Sequence, residues 1–250
     1  MIRFGIFDVQ LVMVIGKTVF FMRRSCGNGL VRRAFLGHAG GFCLGALPWP
    51  AVAASGEGRF GSLQFTAYRN GDRLGVHRVD VSGSDERLQV DIEIAFDVKL
   101  AFIPLYRYRH INRELWQGGR LISLDSETDD NGDRFRVKAR AERDRLLVDG
   151  SAGRLDLPGD TFSTSYWNEA AMGKGEWLGT QEGKLLRSTV TQKPAEAVQL
   201  PGQTQMANSY DLKGDLTCSL WYAGGRWVKL LFFTEDGSEI AYQLDALKQG

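Results

Sequence analysis

From Phe60 to the C-terminus, apolar side chains recur at every second position and not at helical spacing. Leu88, Val90, Ile92, Ile94, Phe96 and Val98 form the clearest run, and the residues between them, Gln89, Asp91, Glu93, Ala95 and Asp97, are mostly polar. Such alternation puts one sheet face on a core and the other in water. Phe135, Val137, Ala139 and Ala141 repeat it against Arg134, Arg136, Lys138 and Arg140. Leu216, Cys218, Leu220 and Tyr222 do so again, as do Ile240, Tyr242 and Leu244.

Turn signals fall between these runs at hairpin spacing. Asn70-Gly71, Gly118-Gly119, Asn131-Gly132, Gly224-Gly225 and Asp236-Gly237 each supply the positive φ that a tight turn needs. Weaker strand patterns cover Gly61 to Arg69, Leu74 to Val81, Lys184 to Gln192 and Gln203 to Lys213. No long helical pattern occurs; one short helix is expected within Thr164 to Met172, inside the longest irregular stretch, Leu155 to Glu176. The expected fold is all-β: an antiparallel meander of about ten to twelve strands, as a strongly curved sheet or a closed barrel. No repeat and no linker divides it, so residues 54–250 are read as one domain.

The first residues carry a different signal. Arg32-Arg33-Ala34-Phe35-Leu36 has the twin arginines, Phe and Leu of a twin-arginine export signal, with Val31 and Gly37 replacing its flanking members. A mildly apolar stretch follows, and Ala51-Val52-Ala53 is a small-residue cleavage site that leaves Ala54 as the new N-terminus. Residues 22–53 are thus read as the signal peptide; an ordinary secretory signal would also predict export. Residues 1–21 are apolar but broken by Asp8 and Lys17, short of the ~20 residues of a bilayer span. They are read as an upstream extension with Met22 the true start, the alternative being a weak anchor. The chain is expected in the periplasm or secreted, with the twin-arginine machinery as partner and no stable membrane span after cleavage.

Cleavage changes the balance of charge. The leader takes 6 of the 31 Lys+Arg and 1 of the 30 Asp+Glu, so the mature 197 residues carry 25 basic against 29 acidic groups, net −4. Nucleic-acid binding, which needs a basic surface, is excluded. Cys26 and Cys43 leave with the leader, and Cys218 remains without an intrachain partner.

Candidate chemistry concentrates in Tyr106 to Trp116. As a strand this places Tyr106, Tyr108, His110, Asn112, Glu114 and Trp116 on one face. The next strand carries Asp125, Glu127 and Asp129 on one face, so register decides the outcome. A two-residue Gly118-Gly119 turn sets His110 opposite Glu127 and gathers a polar patch fit for acid–base work or ligand binding. A three-residue loop pairs Arg109 with Glu127 and Arg107 with Asp129, giving only a charged ladder. Two histidines and one cysteine in the mature chain cannot build a typical zinc site. Glu127 to Gly132 resembles a calcium loop only superficially, because Lys138 stands where the closing glutamate belongs. No Gly-x-Ser-x-Gly occurs, and no cofactor is expected. Thr164-Ser165-Tyr166-Trp167-Asn168 is turn-prone and aromatic, and Tyr166, Trp167 and Asn168 are candidates for the mouth of an apolar cavity.

Tyr106 to His110, Thr164 to Asn168, and Gly214-Asp215-Leu216 through Leu220-Trp221-Tyr222 resemble a family of exported bacterial proteins known as a domain of unknown function (DUF6134-like), over Phe60 to the C-terminus. The resemblance implies a compact β-rich exported domain and brings no activity or catalytic residue. Two functions follow from the residues. One is non-catalytic binding of an apolar or amphipathic molecule or an envelope partner, with a purely structural role as its limit. The other is an enzyme using His110 with Glu114 or Glu127. The absence of any nucleophile–base–orienter set favours binding.

Overall fold

The computed structural model describes residues 61–84, 86–100 and 103–249. The signal residues Arg32, Arg33, Phe35 and Leu36 and the cleavage pair Ala53 and Ala54 lie outside the described residues. Fifteen strands follow in order. The first half comprises β1 (Gly61–Arg69), β2 (Asp72–Ser84), β3 (Arg87–Leu100), β4 (Ile103–Gln117), β5 (Arg120–Asp130), β6 (Asp133–Glu142), β7 (Arg145–Gly150) and β8 (Gly153–Pro158). The second comprises β9 (Phe162–Ser163), β10 (Glu176–Leu178), β11 (Leu185–Leu200), β12 (Gln203–Gly214), β13 (Cys218–Ala223), β14 (Arg226–Phe233) and β15 (Glu239–Gln249).

All belong to one sheet ordered β8-β7-β6-β5-β4-β3-β2-β1-β15-β14-β13-β12-β11-β10-β9. The all-β reading holds, and three details are corrected. The strand count exceeds ten to twelve, because short strands such as β9 and β10 are below the length at which a period of two can be seen. The topology is not a plain meander: β1 pairs with β15, so the first and last strands lie mid-sheet, and β9 runs parallel to β10. The sheet does not close by strand pairing, since β8 and β9 are its edges. The irregular stretch also shrinks, because β8 continues through Leu155 to Pro158.

Hairpin chemistry accounts for the connections. Asn70-Gly71, Gly118-Gly119, Asn131-Gly132 and Gly224-Gly225 are each the two residues between paired strand ends. Both Gly118 and Gly119 have positive φ, 54° and 75°, a succession that side chains resist. The expected short helix is a 3₁₀ turn at Glu169–Gly173.

The sheet is strongly curved. β3 and β14 are four places apart in the strand order, yet Ile92 of β3 and Phe232 of β14 line one cavity. On the inner face Phe65 of β1 meets Trp227 of β14 with ring centroids 4.1 Å apart, and Trp116 of β4 meets Phe162 of β9 at 5.3 Å. Ile92 and Ile94 are buried, as the alternation predicts. On the outer face of β3 to β8, Asp91, Arg113, Asp125, Lys138, Asp149 and Arg154 face one another in a row of alternating charge. Such opposite-charge cross-strand pairs stabilise by about 0.2–1 kcal/mol each.

Candidate functional site

Period two in β4 turns Tyr106, Tyr108, His110, Asn112, Glu114 and Trp116 inward, and all six are buried. Against them lies the chain from Gly159 to Lys184, which runs inside the curve of the sheet. Its Thr161, Ser163, Thr164, Ser165, Thr180 and Gln181 are buried as well. Burying so much polar surface is tolerable only with partners, and β4 and β5 provide them. The Tyr108 hydroxyl donates to Gln181 Oε1 at 3.0 Å, and Ser126 Oγ donates to the Thr180 carbonyl at 2.5 Å. Thr180 N–H donates to Thr164 Oγ1 at 3.2 Å, pinning the inner chain to itself. Much of the polar face noticed in the sequence is therefore an internal seam.

The register differs from both alternatives. The two-residue turn sets Trp116 opposite Leu121 as expected, but a bulge at Ile122 then shifts the pairing by one. His110 comes opposite Thr128, while Glu127 sits opposite Ile111, exposed on the outer face. The structure does not bring Glu127 to His110. His110 Nδ1 bonds instead to Thr128 Oγ1 at 2.8 Å, and Nε2 lies 3.4 Å from Thr180 Oγ1. Burial pushes the His110 pKa down to about 4.

Glu114 is the buried carboxyl of the seam. One oxygen accepts from Asn112 Nδ2 at 2.8 Å; the other accepts from Trp116 Nε1 at 2.8 Å and Ser165 Oγ at 3.2 Å. Burial raises its pKa, and the hydrogen bonds from Ser163, Asn112, Trp116 and Ser165 oppose that rise. With its oxygens so engaged it is placed to hold the inner chain, and neither of its hydrogen-bonded oxygens meets His110.

The remaining candidates separate. Tyr106 donates to Asp130 Oδ1 at 2.6 Å. Asn168 caps the 3₁₀ turn, its side chain accepting from Ala170 N–H at 3.0 Å. Trp167 packs edge-on against Trp116 with centroids 5.5 Å apart and is only 8% exposed. It does not line the cavity that its neighbour lines, and its buried Nε1 has no hydrogen-bond partner. Its neighbour Tyr166 does line a cavity, and does so with φ of 60°, a left-handed backbone that a bulky residue adopts only under constraint.

That cavity has a volume of about 40 Å³ and lies under Thr164, Ser165 and Tyr166. Its lining mixes polar His77, His110, Asn112 and Thr180 with apolar Ile92, Ile94, Leu230 and Phe232. A water needs ~10–15 Å³ by the same measure, so the space suits one polar group or a few waters. Both ring nitrogens of His77 and Oδ1 of Asn112 are buried here without a hydrogen-bond partner. His77 is pushed to a pKa of about 3, by burial first and by nearby His110 second, so it is neutral at neutral pH. His77 is a site residue that sequence reasoning misses. Its signal was there: a histidine at an inward position of the Leu74 to Val81 alternation.

Elsewhere the chemistry is thin. The Cys218 thiol is buried and its pKa is pushed up by that burial, so it is no nucleophile. Among the described residues no three His, Cys, Asp or Glu gather as metal ligands. A wider depression of about 820 Å³ opens on the outer face over Arg87, Leu115, Lys138, Arg140 and Leu147, and the charge row crosses it.

The comparison with protein families agrees with the resemblance carried by the Tyr-Arg and Trp-Tyr segments. A family model described as Domain of unknown function (DUF6134) matches residues 65–245. The chain belongs to this family. No curated protein matches the chain. The DUF6134 match spans β1 to β15 and therefore includes the whole inner seam and the cavity.

Proposed function

We propose that this chain is exported by the twin-arginine route, cleaved after Ala53, and works in the periplasm or outside the cell as a non-catalytic binding domain. Its ligand is a small amphipathic molecule, held in the cavity beneath Thr164 to Tyr166. One observation carries this reading: three buried polar atoms, two on His77 and one on Asn112, lack partners, and both residues line the same cavity. An unsatisfied buried polar atom costs about 1–3 kcal/mol, so an occupant that satisfies them has a free-energy reason to bind. The apolar part of the lining, Ile92, Ile94, Leu230 and Phe232, suits an apolar body.

The cavity volume admits only the polar end of such a molecule. Its remainder requires the Thr164 to Tyr166 stretch to move, and the left-handed backbone of Tyr166 is where that stretch stores strain. Catalysis is disfavoured because burial holds the pKa values of both histidines far below neutrality, leaving them weak bases, and the buried carboxyl of Glu114 is engaged in the seam.

Native mass spectrometry of protein recovered from the exported fraction tests this. A noncovalent mass that disappears on denaturation is expected. The same mass before and after denaturation, in independent preparations, would contradict it.

A further inference from the structure

We infer that the cavity selects an uncharged hydroxyl group, so that the molecule bound there is a neutral alcohol with an apolar body. This rests on the reading of the cavity as a ligand site and adds the chemistry of the group it takes.

The unpartnered atoms set the requirement. Asn112 Nδ2 is committed to Glu114 at 2.8 Å, which fixes the amide's orientation and leaves Oδ1 as a pure acceptor. A neutral imidazole offers one N–H donor and one bare acceptor nitrogen. The His77 N–H has a weak alternative, since Trp227, Tyr242 and Phe65 surround the ring edge-to-face with centroids 5.1, 5.7 and 6.2 Å away. An aromatic face can take an N–H, though weakly. Phe65 and Trp227 offer the bare nitrogen no donor, and the Tyr242 hydroxyl, the one donor on these rings that is not engaged elsewhere, bonds neither it nor Asn112 Oδ1. The occupant must therefore donate a hydrogen bond.

That requirement sorts the candidate groups. A carboxylate only accepts, so it leaves those two acceptors unmet even where the Tyr166 or Tyr242 hydroxyl donates to it, and it brings a charge into a desolvated space. An ammonium donates but brings a charge into a desolvated space, and the carboxyl of Glu114 already accepts from Asn112, Trp116 and Ser165. Burying an unpaired charge is far costlier than burying a neutral group. A hydroxyl both donates and accepts, is neutral, and as a single oxygen fits about 40 Å³. Ile92, Ile94, Leu230 and Phe232 then meet the carbon chain.

The mature chain is titrated with 1-octanol, sodium octanoate and octylammonium chloride, and the His77 ring nitrogens are followed by long-range proton–nitrogen NMR. Octanol is expected to shift them saturably, with the two charged probes at least about tenfold weaker, the scale of one lost buried hydrogen bond. His77→Leu is expected to weaken octanol by about tenfold while circular dichroism stays unchanged. The ranking of probes is read on the unaltered chain, so it stands even where the variant does not fold. Octanoate or octylammonium binding as tightly as octanol, with the same His77 shifts, would overturn the hydroxyl assignment and leave the cavity as a ligand site. No shift at His77 with any probe would overturn the cavity reading and the hydroxyl with it.

Discussion

Acid should destabilise this domain before its surface carboxylates are protonated, and the two inward histidines set the size of the effect. His77 and His110 have pKa values of about 3 and about 4 in the folded chain, against 6.5 for an ordinary histidine. Between those values and 6.5 the unfolded chain binds protons that the folded chain refuses, so stability is full above pH 6.5 and falls as the pH drops below it. At pH 5 each histidine costs about 2 kcal/mol relative to pH 7.5, about 4 kcal/mol together. That is a large part of the ~5–15 kcal/mol by which domains are stable. Glu114 and Asp130, whose pKa values burial raises, act in the opposite sense by taking protons more readily when folded. Asp129, Asp160 and Asp236, held low by hydrogen bonds from Gly132, Lys174 and Thr234 respectively, lose their contribution only at lower pH. Urea unfolding followed by tryptophan fluorescence at pH 7.5 and 5.0 measures the difference, and His77→Leu should remove about half of it. Equal or greater stability at pH 5.0 would show that the histidines are not buried as neutral groups.

Gly75→Ala should be severely destabilising, because a Cβ there would lie 2.0 Å from the Ala95 carbonyl oxygen and 2.8 Å from the Phe96 ring, on the paired strand; failure to accumulate folded protein, read by circular dichroism, is the expected outcome. Ile94→Ala, in the inner row of β3, should cost about 2–5 kcal/mol in urea unfolding, whereas a loss of a few tenths would put Ile94 on the wrong face. Replacing Arg32 and Arg33 by lysine should hold the precursor in the cytoplasm, read by fractionation and immunoblotting, while a chain begun at Met22 exports normally; export of the lysine form would refute the twin-arginine route.

Sequence legibility followed the range of the forces involved. Period-two alternation and Asn-Gly or Gly-Gly turns are local, so the strand faces around Ile92, Tyr108 and Val137 and four of the tight turns are legible in the local order of residues. Pairing of β1 with β15 depends on residues such as Phe65 and Leu244, far apart in the chain, and nothing near either specifies the other. The bulge at Ile122 shows the limit most clearly. The turn itself matched the expectation, yet one extra residue beyond it moved Glu127 to water and gave His110 to Thr128. In the Thr164 to Asn168 stretch the right segment was visible but its orientation was not: Tyr166 faces the cavity while Trp167 packs on Trp116. His77 and Thr180 join the site only because a strongly curved sheet carries a chain inside it.

The central claim, that the cavity holds a ligand, is tested most directly by a high-resolution crystal structure of protein recovered from the exported fraction. The account predicts electron density longer than a water, with one end about 3 Å from a His77 ring nitrogen and from Asn112 Oδ1, and the other end running along Ile92 and Phe232. A lone water, or a collapsed cavity with Tyr166 filling it, would contradict the claim.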